Sequence, residues 1–239
     1  MKLSVVIPAY NEEERLSRTL PKILNFFESR DYSSEIIIAN DGSRDKTAEI
    51  VQEFIAKHPQ LRLVNLKKNQ GKGGALRQGV LASKGEWVLF MDADLSTPLK
   101  EIDKFWPYSK DFFVIIGSRK MSGAEIVTRQ SFLRENLGKV FTFLTNTLAT
   151  GNLSDVTCGF KLFHGDLART LFKLGIINDW SFDAEILFLA QKFGHRIKEV
   201  PVEWHNDPRT KVSMLKDGVN AFKGLLRIRT NDFKGLYSS

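Results

Sequence analysis

Four short apolar runs, residues 3–7, 35–39, 61–66 and 87–91, each lead into a polar or glycine-rich turn. The turns read Tyr10-Asn11-Glu12, Asp41-Gly42-Ser43, Gly71-Lys72-Gly73 and Asp92-Ala93-Asp94. Helical spacing fills the intervals: about 12–28, through Leu16, Leu20, Ile23, Leu24 and Phe27, then about 46–57 and about 71–83. Strands this short, apolar on both faces and alternating with helices, predict an α/β fold with a mostly parallel, Rossmann-like central sheet and helices on both faces. In open sheets of this kind ligands bind outside the carboxyl ends of the strands, where the strand order reverses. All four turns fall on that edge, so the pattern itself predicts a ligand site over residues 1–117.

Beyond residue 117 the alternation loosens. A fifth apolar run, 114–116, leads into Gly117-Ser118-Arg119. The spacing then predicts helices over 132–148, 184–193 and 217–229 and strands over 158–163 and 197–204. No repeat, low-complexity tract or linker interrupts residues 118–239, so this half is expected to complete one domain of residues 1–239.

With 42% hydrophobic and 26% charged residues, 17 Gly and 7 Pro, the composition is that of a folded domain rather than a disordered or collagen-like chain. Its formal charge of +7 is uneven, with +1 in residues 1–115 and +6 in residues 116–239. A basic half suggests nucleic acid, a phospholipid surface or a phosphorylated substrate as partner, or only a solvated face. One cysteine, Cys158, excludes an internal disulfide and a Cys-based metal cluster and fits a reducing compartment. No apolar stretch approaches the roughly 18–20 residues that span a bilayer, and the first residues lack a secretory h-region. The expectation is a cytoplasmic chain, peripheral at a membrane. Segments 132–148 and 217–229 carry an apolar stripe with basic flanks, as do helices lying on an anionic membrane surface, although both would also suit packing on the sheet.

Asp92-Ala93-Asp94 carries the most chemical information. Two carboxylates one residue apart at a strand end point to one side and can hold a hard divalent cation that bridges substrate phosphates. Paired aspartates in a surface turn are common, but here an apolar strand buries the lead-in, where uncompensated carboxylates are costly. Gly71-Lys72-Gly73-Gly74 opens a helix whose N–H groups can face a phosphate, or forms a flexible turn. Leu66 stands where a P-loop needs its first glycine, and no G-x-G-x-x-G follows the first strand, so P-loop kinases and dinucleotide oxidoreductases are not expected. A basic nucleic-acid module has no use for Asp41, Asp92 and Asp94 at strand ends, where they repel phosphates unless a metal intervenes; nucleic acid is therefore not an expected partner.

Pro8-Ala9-Tyr10-Asn11-Glu12-Glu13, Asp41-Gly42-Ser43 with Asp45 and Thr47, Gly71-Lys72-Gly73 and Asp92-Ala93-Asp94 together resemble the family 2 glycosyltransferases of GT-A fold. The likeness continues through Gly117-Ser118-Arg119, Cys158-Gly159-Phe160-Lys161-Leu162-Phe163, Trp180-Ser181-Phe182-Asp183-Ala184-Glu185 and Glu199-Val200-Pro201-Val202-Glu203-Trp204. These later blocks are similar to the dolichyl-phosphate glucose and mannose synthases, the polyprenyl-phosphate branch.

The resemblance implies roles. Pro8, Tyr10, Glu12 and Asp41 would hold the base and ribose of a UDP- or GDP-sugar, with the N–H groups around Gly71 and Lys72 near ribose and phosphates. Asp92 and Ala93 would orient ribose or sugar, and Asp94 would ligate Mg²⁺ or Mn²⁺. Ser96 stands where a typical relative has Gln; its hydroxyl is the weaker ligand candidate, directly or through water. Arg119 and Lys211 match cationic positions for an acceptor lipid phosphate, with Arg129 and Arg134 as further candidates. The implied reaction is an inverting displacement of nucleoside diphosphate by a polyprenyl phosphate, with a soluble or glycan hydroxyl as the alternative acceptor. A processive polysaccharide synthase would need Q-x-x-R-W, and a sugar nucleotidyltransferase a G-x-G-x-R loop; neither is present. Asp183 and Glu185 read either as an acidic catalytic motif or as carboxylates favoured by a helix N-terminus. Trp180 and Trp204 read as packing residues.

Overall fold

The computed structural model describes residues 1–128, 132–206 and 214–238, leaving aside the side chains of 132–137, 214–219 and 221. Its strands are β1 (Leu3–Ala9), β2 (Ser34–Asn40), β3 (Leu61–Asn65), β4 (Trp87–Met91), β5 (Val114–Ser118), β6 (Glu125–Thr128), β7 (Phe160–His164), β8 (Ile197–Pro201) and β9 (Glu203–His205). The helices are α1 (Glu13–Glu28), α2 (Thr47–Ile55), α3 (Lys72–Leu81), α4 (Phe132–Thr145), α5 (Gly165–Leu174), α6 (Phe182–Lys192) and α7 (Met214–Phe233).

One sheet runs β3-β2-β1-β4-β7-β5-β8, and β6 pairs with β9 beside it. Every pairing of the seven-stranded sheet is parallel except those of β7, which runs antiparallel to β4 and β5. The chain steps outward from β1 to β3 and then crosses to β4 on the other side of β1. That reversal opens the crevice between the carboxyl ends of β1 and β4.

Alternation within the strands builds two cores. Leu3, Val5 and Ile7 of β1 face Leu16, Leu20, Ile23 and Leu24 of α1, whereas Val6 faces the opposite layer with Leu76 and Val80 of α3. The second layer also takes Phe163, Leu171 and Phe172, Phe182 and Leu187, and Leu225 and Ile228 from α7. Both faces of the sheet are therefore buried, as the unbroken apolar runs require.

Several local readings change. The strand expected over 197–204 is two, β8 and β9, divided at Val202, whose fully buried side chain ties it to the sheet. Helix α5, with Leu167, Ala168, Leu171 and Phe172 buried, follows β7 without an intervening turn and was not anticipated. Strand β6 was likewise absent from the pattern; all four of its residues are exposed, so burial writes no alternation into it. Helix α4 ends at Thr145 and continues as a π-helical turn, Asn146–Thr150, rather than running regularly to 148.

The insertion of β7 matters for the site. After β5 the chain leaves the ligand edge, passes through β6 and α4, and comes back to that same edge, so β7 must run downward. Its entry loop, residues 151–159, is thereby laid across the ends of β4 and β5.

Candidate active site

The turns after β1 and β2 are knitted together by backbone donors. Ser43 Oγ accepts the Asn11 N–H at 2.9 Å, Thr47 Oγ1 the Glu12 N–H at 2.8 Å, and Asn11 Oδ1 the Arg44 N–H at 2.8 Å. Asp45 accepts from Glu13 N–H and from both the N–H and hydroxyl of Thr47, so Asp45 and Thr47 build the turn. Asn11 takes a left-handed φ of 52° there, a conformation Asn tolerates better than most residues. Pro8, Tyr10 and Glu12 are part-buried along this rim, and Glu12 pairs with Arg15.

Asp41 ties the second turn to the third. Its Oδ1 accepts the Gln70 N–H at 2.7 Å and its Oδ2 the Gly71 N–H at 2.9 Å. Burial raises its pKa, against the lowering by those two N–H groups. Each oxygen keeps a second lone pair. Gly71 has φ 92°, and a Cβ there would lie 2.5 Å from the Asn178 carbonyl oxygen, so the turn accepts only glycine.

At the end of β4 the Lys72 ammonium sits 2.6 Å from Asp92 Oδ1. It lies 5.3 Å from the Trp180 ring centroid and 5.9 Å from that of Phe182, within cation–π range. Burial pushes the Lys72 pKa down, but the Asp92, Asp183 and Asp94 carboxylates more than offset it, leaving it above the ordinary value. Two residues on, Asp94 Oδ1 accepts the Ser96 N–H at 2.9 Å. Burial and the neighbouring Asp92 charge raise the Asp94 pKa. Leu95 between them holds φ 57°, a strained value for a branched side chain that costs on the order of 1–3 kcal/mol. The Ser96 carbonyl is fixed from β9 by the His205 N–H at 2.8 Å.

Among the described residues no group of three or more His, Cys, Asp or Glu could hold a metal alone. A cation bound by one or two carboxylates and otherwise by substrate phosphates and water does not need such a cage. Asp94, in a part-buried turn with the Ser96 hydroxyl in hydrogen-bonding reach and with its charge disfavoured by burial and by Asp92, fits that role, since a bound cation would stabilise the carboxylate.

Beneath this edge lies a second charged layer that sequence reasoning missed. Lys161 of β7 is buried, 2.5 Å from Asp183 Oδ1 and 2.6 Å from the Cys158 carbonyl. A lysine inside the apolar run 160–163 was the available signal. Asp183 and Glu185 do sit in the first turn of α6, yet both are buried and bound to specific partners. Glu185 accepts the Ile176 and Ile177 N–H groups and, at 2.6 Å, the Tyr237 hydroxyl. Burial raises the pKa of both carboxylates. It also pushes the Cys158 thiol up to about 11, which keeps it protonated at neutral pH.

Across β7 from Asp92, Arg119 at the end of β5 is clamped by Asp155 from the loop before β7. Nε to Oδ2 is 2.6 Å and Nη2 to Oδ1 2.8 Å, and Nη2 also reaches Thr157 Oγ1 at 2.9 Å. The guanidinium carbon lies 5.4 Å from the Trp204 ring centroid. Glu199 of β8 fixes the loop by accepting the Ser154 and Asp155 N–H groups and the Ser154 hydroxyl. Burial works against the Asp155 charge, but Arg119 overrides it and brings the pKa to about 2. This depressed value means stability gained above pH ~4 and lost as pH falls through about 2. Asp155→Asn is expected to destabilise the fold by about 3–5 kcal/mol, because it strands a buried guanidinium; urea unfolding at pH 7 measures this.

The structure therefore brings Asp41 to Gly71, and Lys72 to Asp92, with Asp94 and Ser96 one turn further on. Arg119 feels the Asp92 charge across β7. Arg129 and Lys211 lie outside the described residues, and Arg134 is described only by its place in α4. Trp180 and Trp204, expected as packing residues, each set a ring against a site cation. Gly159 is a further residue that sequence reasoning did not single out: a Cβ there would fall 1.9 Å from Asp92 Oδ2.

A Rossmann-like sheet ending in this D-x-D edge, with a β7 inserted antiparallel, defines a glycosyltransferase of GT-A fold. Residues 4–172 match the model of glycosyl transferase family 2, and the chain belongs to that family. It is 37% identical to the dolichyl-phosphate β-glucosyltransferase of Dictyostelium discoideum, over 98% of this chain and 76% of that protein. The Homo sapiens protein of the same name is 33% identical over 99% and 77%, and that of Saccharomyces cerevisiae 34% over 98% and 76%. Among solved structures, mannosyl-3-phosphoglycerate synthase from Rubrobacter xylanophilus superposes with TM-score 0.68 at 16% identity, covering all of this chain and 76% of that one. Glucosyl-3-phosphoglycerate synthase from Mycobacterium tuberculosis, solved with Mn²⁺, UDP-glucose and phosphoglyceric acid, gives 0.66 at 20%, covering 95% and 79%.

Proposed function

We propose that this chain transfers glucose from UDP-glucose to a polyprenyl phosphate of the dolichyl type, with inversion and with Mg²⁺ or Mn²⁺ on the donor diphosphate. The observation that carries the donor half is the Lys72–Asp92–Asp94 edge, which places a cation and two carboxylates where phosphates would meet a strand end. The relatives' name supports glucose and a dolichyl phosphate acceptor. Residues 1–117 would bind the donor and 118–239 the acceptor, within one domain.

Asp94, with the Ser96 hydroxyl directly or through water, would hold the metal, which when bound neutralises the leaving diphosphate. Pro8, Tyr10, Glu12 and Asp41 line the rim where base and ribose would rest. The Lys72 N–H at the start of α3 would face the phosphates, while the Gly71 N–H is taken by Asp41 and fixes that turn. Asp92, fixed by Lys72, would orient the sugar, beside Ala93.

An acceptor phosphate is already an anion at neutral pH, so its oxygen attacks the anomeric carbon without a general base and needs only positioning. Arg119, held by Asp155 across β7 from Asp92, would supply a fixed positive charge for that purpose, and Lys211, Arg129 and Arg134 belong to the same basic half. Asp183 and Glu185, the acidic motif that could have held a base, are engaged below the edge, which supports this reading.

Peripheral membrane contact, on the cytoplasmic side, fits the exposed side chains of α4 and α7. Val140 and Phe143 are exposed on the first, and Phe222, Leu226 and Phe233 on the second, among exposed Lys139, Lys223 and Lys234. No helix among the described residues is long and apolar enough to cross a membrane.

The test is incubation with labelled UDP-glucose or GDP-mannose, dolichyl phosphate and Mn²⁺, followed by organic extraction. Label is expected in the lipid phase from UDP-glucose and is expected to vanish with EDTA. Transfer from GDP-mannose alone would reject the donor assignment, and transfer undiminished by EDTA the metal.

A further inference from the structure

Helix α7 and the turn that follows it pack against the loop between α5 and α6, residues 175–181, and hold it at three points. Gly224 meets Ser181 so closely that a Cβ on it would lie 1.9 Å from Ser181 Oγ. Arg227 pairs with Asp179, whose Oδ1 in turn accepts the Ser181 N–H at 2.9 Å. Beyond the helix, Tyr237 is fully buried against Phe188 and gives its hydroxyl proton to Glu185, the carboxylate that accepts the Ile176 and Ile177 N–H groups.

The other side of this loop is the wall of the Lys72 site. The Asn178 carbonyl accepts the Gly73 N–H at 2.9 Å and abuts Gly71. Arg77 of α3 donates to Asn178 Oδ1 at 2.8 Å and to the carbonyls of Phe172 and Ile177. Trp180 and Phe182 lay their rings beside the Lys72 ammonium. A displacement of the loop therefore moves the first turn of α3 and the Lys72–Asp92 pair together.

We propose that α7 and the turn after it form a positioning element for donor binding, acting through Arg227–Asp179 and Tyr237–Glu185 to hold the 175–181 loop, and with it Lys72, in the geometry the donor phosphates meet. Neither Arg227 nor Tyr237 touches the donor edge; each acts through the loop. The inference rests on the donor reading of Lys72 and Asp92.

The test uses the full chain and the variants Arg227→Gln, Arg227→Lys and Tyr237→Phe. The Arg227 side chain is 54% exposed, so its loss leaves the fold intact, and Phe keeps the ring packing of Tyr237. Arg227→Gln and Tyr237→Phe are each expected to raise KM for UDP-glucose about tenfold, with kcat within about twofold and KM for dolichyl phosphate unmoved. Arg227→Lys is expected to restore the donor KM. Amide hydrogen exchange over 71–74 and 176–181 is expected to quicken about tenfold in the same two variants. Unchanged exchange, or faster exchange with an unchanged donor KM, overturns the proposal. Faster exchange in a chain whose wild type transfers from no nucleotide sugar upholds the clamp and rejects the donor reading instead.

Discussion

Asp94→Ala is expected to lower the rate of glucosyl transfer by at least about 10²–10³-fold while leaving the melting temperature unchanged or slightly higher. The two effects have opposite structural origins. Burial and the adjacent Asp92 raise the Asp94 pKa, so the folded state disfavours the charge that neutral pH imposes on it. Sign and window follow: a folded pKa above the unfolded value means that this carboxylate opposes folding at neutral pH and that the penalty fades as pH falls through the raised value. On the proposed reading, removing it relieves the fold and removes the metal ligand together. The compensating costs are loss of the hydrogen bonds from the Ser96 N–H and hydroxyl and of the attraction to Arg15, and Ser96 stays part-exposed to water. Rates from the extraction assay and thermal melts of the same preparations check both halves. An Asp94→Ala protein with undiminished transfer would remove Asp94 from the metal site.

Gly159→Ala is expected to cut kcat about 100-fold, since misplacing a sugar-orienting carboxylate by about 1 Å has an effect of that order. The new Cβ would lie 1.9 Å from Asp92 Oδ2 and 2.6 Å from its Cγ, so either the carboxylate turns away from Lys72 or the start of β7 shifts. Overpacking of this kind costs about 1–3 kcal/mol in stability, measurable as a lower urea midpoint. Steady-state kinetics separate the outcomes: a fall in kcat places Asp92 at the reacting sugar, whereas wild-type kinetics in a folded Gly159→Ala protein would detach Asp92 from the reaction.

The donor edge was legible because its information is local. Each strand is announced by its own apolar run and its turn follows within a few positions, so spacing and turn chemistry pick out Asp92 and Asp94, while the donor roles of Asp41, Gly71 and Lys72 are what the family resemblance implies. The acceptor half was not, because its contacts span the chain. Arg119 is fixed by Asp155, 36 residues away, and Asp155 by Glu199, 44 further on. Both follow from the antiparallel entry of β7, which no local pattern records. Lys161 and Asp183 form one buried pair across 22 residues, and only the tertiary fold shows that a carboxylate in the first turn of α6 meets a strand lysine rather than solvent. Exposed β6 offered no periodicity, and α5, beginning at Gly165 directly after β7, offered helical spacing without a boundary signal.

The central claim is that a lipid phosphate oxygen, not a hydroxyl, attacks the sugar. Its most direct measurement offers the chain labelled UDP-glucose with equal amounts of dolichyl phosphate and the free alcohol dolichol, and identifies the glucosylated lipid by mass. Glucosyl phosphate lipid alone is the expected product, since Arg119 offers a fixed cation to a phosphate and the carboxylates Asp183 and Glu185 are engaged below the edge. Glucosylated dolichol, formed at a comparable rate, would contradict it.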